Sequence, residues 1–230
     1  MYDIVFISYH EPNAEQNFNE LYKRFNTVGI FGDDRVKRVT NVKGIHNAHI
    51  EAAKLATTNY FFAVDGDAVI VDEFDFNYYT TEPDTVHVYR SMNPINNLIY
   101  GYGGVKLFPT ELTKNMDTTT TDMTTSISTK FKVINEISNI TAFNTDAFST
   151  WRSAFRECAK LSSKIIDRQI NDETDERLKI WTTKGVDKPF GKYALAGANA
   201  GMDFGLSCRP DELVNINNFE WLKEQFDANS

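Results

Sequence analysis

Two periods of hydrophobic positions alternate along the first half of the chain, and each predicts a different element. Strands are predicted where short apolar or alternating runs occur, at residues 3–9, 27–31, 38–42, 60–64, 85–90 and 105–108. Helices are predicted where apolar residues recur every three or four positions, at 18–25 and 46–56. Because strands and helices alternate, the pattern predicts an α/β fold with a mostly parallel central sheet flanked by helices.

The second half of the chain has mainly helical periodicity. Bulky apolar side chains recur every three or four residues over 148–165, and shorter helices are predicted at 174–181 and 219–226. Residues 117–130 are rich in Thr, Ser and Asp and include only two large apolar side chains. This segment is predicted to be a polar loop, either a lid that orders over a ligand or a surface loop without a role.

Composition favours one domain over residues 1–230. The chain has 230 residues, of which 41% are hydrophobic and 13% aromatic, so it can bury a sizeable core. The first residues lack the basic and apolar regions of a secretory leader, and no apolar run reaches the roughly 18 residues of a membrane span. We therefore expect a soluble, cytoplasmic protein in which Cys158 and Cys208 are reduced.

The net charge of −8 argues against a protein held to nucleic acid mainly by phosphate contacts. Basic residues are nevertheless concentrated in one short stretch, at Lys23, Arg24, Arg35, Lys37, Arg38 and Lys43. This stretch can be a basic patch on an uneven surface, an ordinary solvated face, or a means of neutralising a phosphate ligand.

Two carboxylates follow the most apolar predicted strand, which covers residues 60–64. Asp65 and Asp67 are separated by Gly66 and would emerge at the C-terminal end of that strand, where open α/β sheets bind their ligands. Their oxygen atoms suit Mg²⁺ or Mn²⁺ on a diphosphate. The alternative is an ordinary turn in which the carboxylates accept hydrogen bonds from nearby backbone N–H groups.

Four short runs give the chain a family resemblance: F-I-S-Y at 6–9, K-G-I-H at 43–46, V-D-G-D-A at 64–68 and F-N-T-D at 143–146. With these runs the chain resembles nucleotide-sugar glycosyltransferases of the GT-A fold, and most closely the group carried by large tailed phages. The resemblance implies a single GT-A-like, Rossmann-like domain in the host cytoplasm. Residues 1–110 would form the nucleotide-sugar-binding half, and 111–230 the acceptor-side half.

The resemblance also implies where the donor, a nucleoside diphosphate sugar and most simply a UDP-sugar, would bind. Asp67 would carry most of the coordination of Mn²⁺ or Mg²⁺, and Asp65 would bind the ion and contact the ribose. The base and ribose would lie against residues that follow the first two strands, namely Ser8, Tyr9, Glu11 and Asp33. A polar loop that only ends a strand, or a turn at Asp33, would explain the same residues.

Further donor contacts are expected at a helix start and at a glycine pair. Lys43 precedes Gly44, and the helix that starts there would offer free N–H groups to phosphate, with His46 and His49 on the same side. His49 stands where the family pattern has an arginine, and no late histidine is present to complete the metal site. Gly103 and Gly104 would bring bare backbone to the donor sugar, or form a glycine-rich bulge instead. The segment 197–203 is expected to approach a ligand in the same way.

An inverting transferase needs a carboxylate base for the acceptor hydroxyl. The resemblance makes Asp146 the first candidate and Asp122 the second, and an N-cap of the following helix is the competing explanation for Asp146. If neither is suitably placed, a retaining mechanism becomes the better hypothesis. Whether a hexose or a pentose is transferred is left open.

The acceptor is predicted from the family association with phages. The favoured acceptor is 5-hydroxymethylcytosine in phage DNA, with the base flipped out of the duplex. The alternatives are a polysaccharide or protein acceptor, which would suit the acidic chain better, and a nonenzymatic nucleotide-binding or virion interaction module.

Overall fold

The computed structural model describes residues 1–27, 34–101, 103–120, 122–164 and 171–229. They form two compact units. The first unit comprises Met1–Met92 and Ile99–Ala142, and the second comprises Asn93–Leu98 and Phe143–Ser230. The boundary near residue 142 lies later than the division at residue 110 drawn from the sequence. That one glycosyltransferase domain spans 1–230 stays a prediction.

The first unit contains the central sheet and four helices. Its strands are β1 (Asp3–Ser8), β2 (Val36–Thr40), β3 (Tyr60–Asp65), β4 (Ala68–Ile70), β5 (Thr85–Met92), β6 (Ile99–Tyr100), β7 (Val105–Pro109) and β8 (Lys130–Thr141). Its helices are α1 (Ala14–Phe25), α2 (Ile45–Leu55), α3 (Thr110–Lys114) and α4 (Met123–Ile127).

The sheet has five strands in one direction and three reversed strands, one of which lies among the five. The strand order is β2-β1-β3-β7-β5-β8-β4, and β6 pairs with β5. Strand β1 pairs in parallel with β2 and β3, and β5 pairs in parallel with β8. Strand β7 lies antiparallel between β3 and β5, so β2, β1, β3, β5 and β8 all run the same way. The predicted α/β fold is confirmed, with a mixed sheet in which β4, β6 and β7 are reversed.

Strands β1 and β3 are buried on both faces, which explains why they read as continuous apolar runs. On one face, Phe6 and Phe62 belong to a core that includes Leu21 of α1. On the other face, Phe61 belongs to a core that includes Ala52 of α2. The two helices therefore cover opposite faces of the same pair of strands.

Two stretches of the first unit differ from the sequence prediction, and a third cannot be compared because most of it is outside the described residues. Strand β2 covers Val36–Thr40, two residues earlier than predicted, and residues 28–31 of the strand expected at 27–31 lie outside the described residues. Residues 117–130 are not wholly loop, because α4 forms within them and buries Met123 and Ile127 in the core next to α2. Two apolar side chains four positions apart are enough to hold this one turn of helix.

The second unit is helical. Its elements are α5 (Ala147–Ser163), α6 (Asn171–Thr183), α7 (Gly191–Ser207), a 3₁₀ turn (Leu213–Asn217) and α8 (Phe219–Asn229). Helices α5, α6 and α8 agree with the predicted helices over their described residues. Trp151 and Phe155 of α5 and Phe226 of α8 pack together in its core.

Segment 197–203, expected from the sequence to approach a ligand closely, lies within helix α7, and its glycines have a packing role instead. Gly197 and Gly201 lie on the face of α7 that packs against α5. A Cβ added at either position would lie 2.2 Å from a backbone oxygen, that of Trp151 or Phe155 respectively. These glycines therefore allow two helix backbones to approach each other closely. In the described part of the chain, no helix combines the length and apolar character needed to cross a membrane.

The α5–α7 contact predicts an asymmetric response to bulky residues in α7. Gly201→Val should destabilise the protein by about 1–3 kcal/mol, because the new side chain must displace the backbone of α5. Ala196→Val adds the same residue type at an exposed position of the same helix and should change stability by less than about 1 kcal/mol. Urea unfolding followed by circular dichroism measures both, and equal losses would contradict the packing argument.

Candidate functional site

The ends of β1 and β3 bring two groups of predicted residues to one edge of the sheet. Ile7 is paired with Asp65 in the parallel register of β1 and β3. Ser8 and the turn at Gly66 therefore lie side by side at the carboxyl ends of these strands, as predicted. A Cβ added at Gly66 would lie 3.0 Å from the Cβ of Ser8.

The turn that carries Asp67 is fixed by hydrogen bonds on both sides. The Asn17 side chain donates to the Gly66 carbonyl at 3.0 Å, and Asn17 is buried in α1. The Asp67 carbonyl accepts a 2.7 Å hydrogen bond from the Ala142 amide. The second aspartate is thus held by α1 and by the segment that follows β8. The side chain of Asn17 was not identified from the sequence, where its helix showed only an apolar stripe.

Glu11 lies against the same turn. Its Oε2 accepts a hydrogen bond from the Tyr9 amide and would be 2.6 Å from a Cβ at Gly66, so a larger residue there would have to displace the Glu11 carboxylate. The Ser8 hydroxyl is buried and has no hydrogen-bond partner among the described residues. Tyr9 is partly exposed, with its ring edge-on to His10 at a centroid distance of 4.7 Å. The carboxyl end of β1 therefore offers a hydroxyl from Ser8, an aromatic ring from Tyr9 and a carboxylate from Glu11.

Asp65 is held by the glycine pair through two reciprocal hydrogen bonds. Its backbone amide donates to the Gly104 carbonyl, and its carboxylate Oδ2 accepts from the Gly104 amide, each at 2.9 Å. Lys106 Nζ lies 4.0 Å from the same Oδ2. One third of the Asp65 side chain, 34%, is still exposed. The first aspartate is therefore fixed in orientation yet accessible from outside.

A buried polar network supports the glycine pair from the far side. Gly104 has a φ of +88°, and a Cβ there would lie 2.0 Å from Oδ1 of Asn139, so only glycine fits. The Ser91 hydroxyl lies 2.9 Å from the same Oδ1 and also bonds the Gly103 carbonyl. Ser91 and Asn139 are fully buried, register-paired residues of β5 and β8. Neither was identified from the sequence, because an isolated polar residue in a strand gives no local signal.

Both histidines of α2 lie near this edge, but neither is an open phosphate-binding side chain. His49 is buried, and its Nδ1–H donates to the Ile45 carbonyl at 2.8 Å. Burial lowers its pKa to about 4, and the opposing influence of Asp65 is smaller. The ring is therefore neutral at pH 7 and brings no positive charge to the site.

His46 faces the polar segment after α3. Its Nε2 lies 3.3 Å from the Thr120 hydroxyl. Burial lowers the pKa of His46, while Asp122 and Asp117 act in the opposite direction. Lys43 and Gly44 at the start of α2 are exposed. Part of the polar segment 117–130, predicted as either a lid or a surface loop, is thus held against α2.

The two candidate bases are both helix N-caps. Asp122 accepts a 2.8 Å hydrogen bond from the Thr125 amide at the start of α4. Asp146 accepts from the Ser149 amide at 2.8 Å and from the Ser149 hydroxyl at 2.7 Å at the start of α5. Burial raises the pKa of Asp146, but these hydrogen bonds together outweigh it and leave the pKa lowered. The N-cap explanation raised for Asp146 describes its contacts, Asp122 is an N-cap as well, and the role of base stays a prediction for both.

The metal-binding expectation rests on Asp65 and Asp67 alone. No cluster of three or more His, Cys, Asp or Glu side chains suited to a metal ion occurs in the described ranges. Two carboxylates at one turn still fit Mg²⁺ or Mn²⁺, since such ions often bind through one or two carboxylates with substrate phosphates and water as the other ligands. Asp33, a further candidate for contact with the nucleobase of the donor, lies outside the described residues.

The basic stretch is largely engaged within the first unit. Arg35 is buried and donates to the carbonyls of Tyr2 and Phe76. Other contacts pair Lys37 with Asp3 at 2.8 Å, Arg38 with Glu15 at 2.6 Å, and Arg24 with the Ile70 carbonyl at 3.1 Å. These side chains stabilise the sheet and α1, so they do not form a free phosphate-binding face.

A separate cavity of about 440 Å³ lies at the opposite end of β3. It is lined by residues at the start of β3, at the end of β7 and in the segment before β5, including Tyr60, Thr80, Glu82, Asp84, Pro109 and Glu111. It shares no residue with the turn that carries the two aspartates.

Comparison with known proteins leaves the family unassigned. No family model and no curated protein matches the sequence. HddC from Yersinia pseudotuberculosis is 14% identical in sequence; the match covers 61% of this chain and 70% of that chain at a TM-score of 0.34. The mannosyltransferase PcManGT from Pyrobaculum calidifontis, in complex with GDP-Man and Mn²⁺, is 12% identical, with 99% and 82% covered at a TM-score of 0.43. Similarities this distant assign neither a family nor an activity to the chain.

The burial of His49 predicts a pH-dependent loss of stability. Its pKa is about 4 when folded, against 6.5 for a free histidine, so the unfolded chain binds a proton that the folded chain does not. The free energy of unfolding should therefore fall by up to about 3 kcal/mol as the pH drops from above 6.5 to 4. His49→Gln should remove this part of the loss.

Urea unfolding at several pH values between 8 and 4 measures the difference between the two proteins. Other titrating groups contribute to both proteins and cancel in the comparison. Parallel pH profiles for wild type and His49→Gln would show that His49 is not held neutral by burial.

Proposed function

We propose that this chain is a GT-A-type glycosyltransferase that uses a nucleoside diphosphate sugar and a hydroxyl acceptor. The observation that carries the proposal is the convergence of Glu11, Asp65, Asp67 and the Gly103–Gly104 turn at the carboxyl ends of β1 and β3. Carboxylates, bare backbone and an open edge at this place suit a ligand that has a base, a ribose and a diphosphate.

The donor's nucleoside would lie against the end of β1. Tyr9 would stack on the base, with uracil as the expected one, and Glu11 would accept a hydrogen bond from the base or ribose. The Ser8 hydroxyl, which has no partner among the described residues, would gain one from the nucleoside. Asp65 would contact the ribose through the oxygen that the Gly104 amide leaves available.

The diphosphate would be bound at Asp67 and Asp65 together with a divalent ion. Mn²⁺ or Mg²⁺ held there would offset the negative charge that builds on the departing nucleoside diphosphate. The fixed turn around Gly66 keeps the two carboxylates in place before the donor arrives, which lowers the cost of organising the site. Gly103 and Gly104 would leave room for the sugar.

The acceptor hydroxyl needs a group that takes its proton as it attacks the anomeric carbon. In an inverting reaction we propose Asp146 for this role, with Asp122 as the second choice. The hydrogen bonds that lower the pKa of Asp146 make it a weaker base, so they must be partly released when the acceptor binds. In a retaining reaction the donor phosphate would take the proton instead.

Two acceptors are supported by different observations. The resemblance to phage enzymes favours 5-hydroxymethylcytosine in DNA, with its base flipped into the site. The net charge of −8 and the internal engagement of Arg35, Lys37 and Arg38 favour a hydroxyl on a polysaccharide or protein. A nonenzymatic nucleotide-binding module would keep the donor site without turnover.

Asp67→Asn should lower metal-dependent release of nucleoside diphosphate by about 10²-fold or more, because it removes a charged ligand of the ion at the leaving group. The control is Asp72→Asn, which changes a fully exposed aspartate beyond β4 and should leave the rate unchanged. Both are assayed with a panel of UDP- and GDP-sugars in Mn²⁺ and in EDTA. No release by the wild type from any donor would reject the enzyme and favour the nonenzymatic module.

The acceptor is identified by adding 5-hydroxymethylcytosine-containing DNA to the same reactions and analysing its nucleosides by mass spectrometry. We expect a mass gain on that nucleoside, and its size separates a pentose from a hexose. Release of nucleoside diphosphate without this gain would reject the DNA acceptor and leave a polysaccharide or protein acceptor.

A further inference from the structure

Lys106 of β7 is a largely buried lysine beside Asp65. Its side chain is only 15% exposed, and its Nζ lies 4.0 Å from Asp65 Oδ2. Ala63 of β3 is directly opposite Lys106 in the antiparallel register, and Asp65 follows two residues later on the same face of the sheet. The two side chains are thus brought together by strand pairing, independently of loop conformation.

The contact between Lys106 and Asp65 is too long for the ammonium to donate a hydrogen bond to the carboxylate. At 4.0 Å it is beyond hydrogen-bond distance, while the same Oδ2 already accepts a hydrogen bond from the Gly104 amide. Within the described ranges the ammonium makes no hydrogen bond. A lysine is rarely this buried unless it is paired or binds a ligand. Lys106 therefore retains three donors at an edge of the sheet that is open at Asp65.

The charges around Lys106 suit an anion that arrives with a divalent ion. Asp65 and Asp67 supply two carboxylates, and the nearby His49 is buried with its Nδ1–H donated to the Ile45 carbonyl. Lys106 is then the positive side chain in contact with the aspartate. Once a divalent ion occupies the carboxylates, the ammonium no longer has to balance Asp65 and can donate to an oxygen that the ion attracts.

We propose that Lys106 binds the diphosphate of the donor through its side-chain ammonium. Without a ligand it balances Asp65, and with a nucleoside diphosphate bound it donates hydrogen bonds to a phosphate oxygen. This inference rests on the proposed function, since it assigns a phosphate contact within the same site.

The test is binding of UDP and GDP by isothermal titration calorimetry, once with Mn²⁺ and once with EDTA. Lys106→Met keeps a side chain of similar length without the charge. It should weaken binding of the wild-type-preferred nucleotide by about tenfold, in EDTA as well as in Mn²⁺. Lys106→Arg retains the charge and should stay within about threefold of the wild type.

Lys54→Met is the matched control, since Lys54 is an exposed lysine paired with Glu51 on the outer side of α2. It should bind as the wild type does. If Lys106→Met does not fold, Lys106→Gln takes its place, and circular dichroism checks each variant.

The outcomes separate the two proposals. Equal binding by wild type and Lys106→Met in both buffers overturns the role of Lys106 and leaves the donor site standing. A loss in both Lys106→Met and Lys106→Arg also overturns it, because the charge is then not what matters. If the wild type binds neither nucleotide even with Mn²⁺, the donor site itself is wrong and the role of Lys106 falls with it.

Discussion

The reciprocal hydrogen bonds between Asp65 and Gly104 determine the geometry of the candidate site. They join the end of β3 to the turn before β7, a reversed strand that lies between β3 and β5. Because β7 is antiparallel to β3, its first residues lie beside the carboxyl end of β3. A fully parallel neighbour would have placed its own start at the opposite edge. The reversal therefore brings the glycine pair and Lys106 to the aspartates.

The stability of this arrangement is supplied by groups that do not face the ligand edge. Asn139 and Ser91 are buried behind Gly104, and Asn17 holds the Gly66 carbonyl from α1. A buried polar group that lost its partner would cost roughly 1–3 kcal/mol, so these side chains favour one conformation of the backbone. In this way the carboxylates are placed by the sheet and by α1 before any ligand binds.

The parts of the fold that were predicted from sequence are those whose buried residues form a regular pattern over a short stretch of the chain. Strands β1 and β3, which are buried over nearly all their residues, followed from apolar runs, and helix α5, which buries one face, followed from a helical stripe. Helix α7 was missed because Gly197 and Gly201 look like loop residues, and only contact with the α5 backbone explains them. Strand β8 has a mixed pattern with much exposure, so no apolar run marks it.

The same reasoning applies to the site, where the turn at Asp65 and Asp67 was predicted and its supporting partners, which are distant in sequence, were not.

The central claim is that these two carboxylates bind a divalent ion together with a nucleoside diphosphate. Anomalous diffraction from a crystal grown with Mn²⁺ and UDP tests it most directly. The account predicts a manganese peak about 2.0–2.4 Å from an Asp67 carboxylate oxygen, with the diphosphate on the same ion. A peak in the cavity lined by Glu82, Asp84 and Glu111, with none at Asp67, would contradict it.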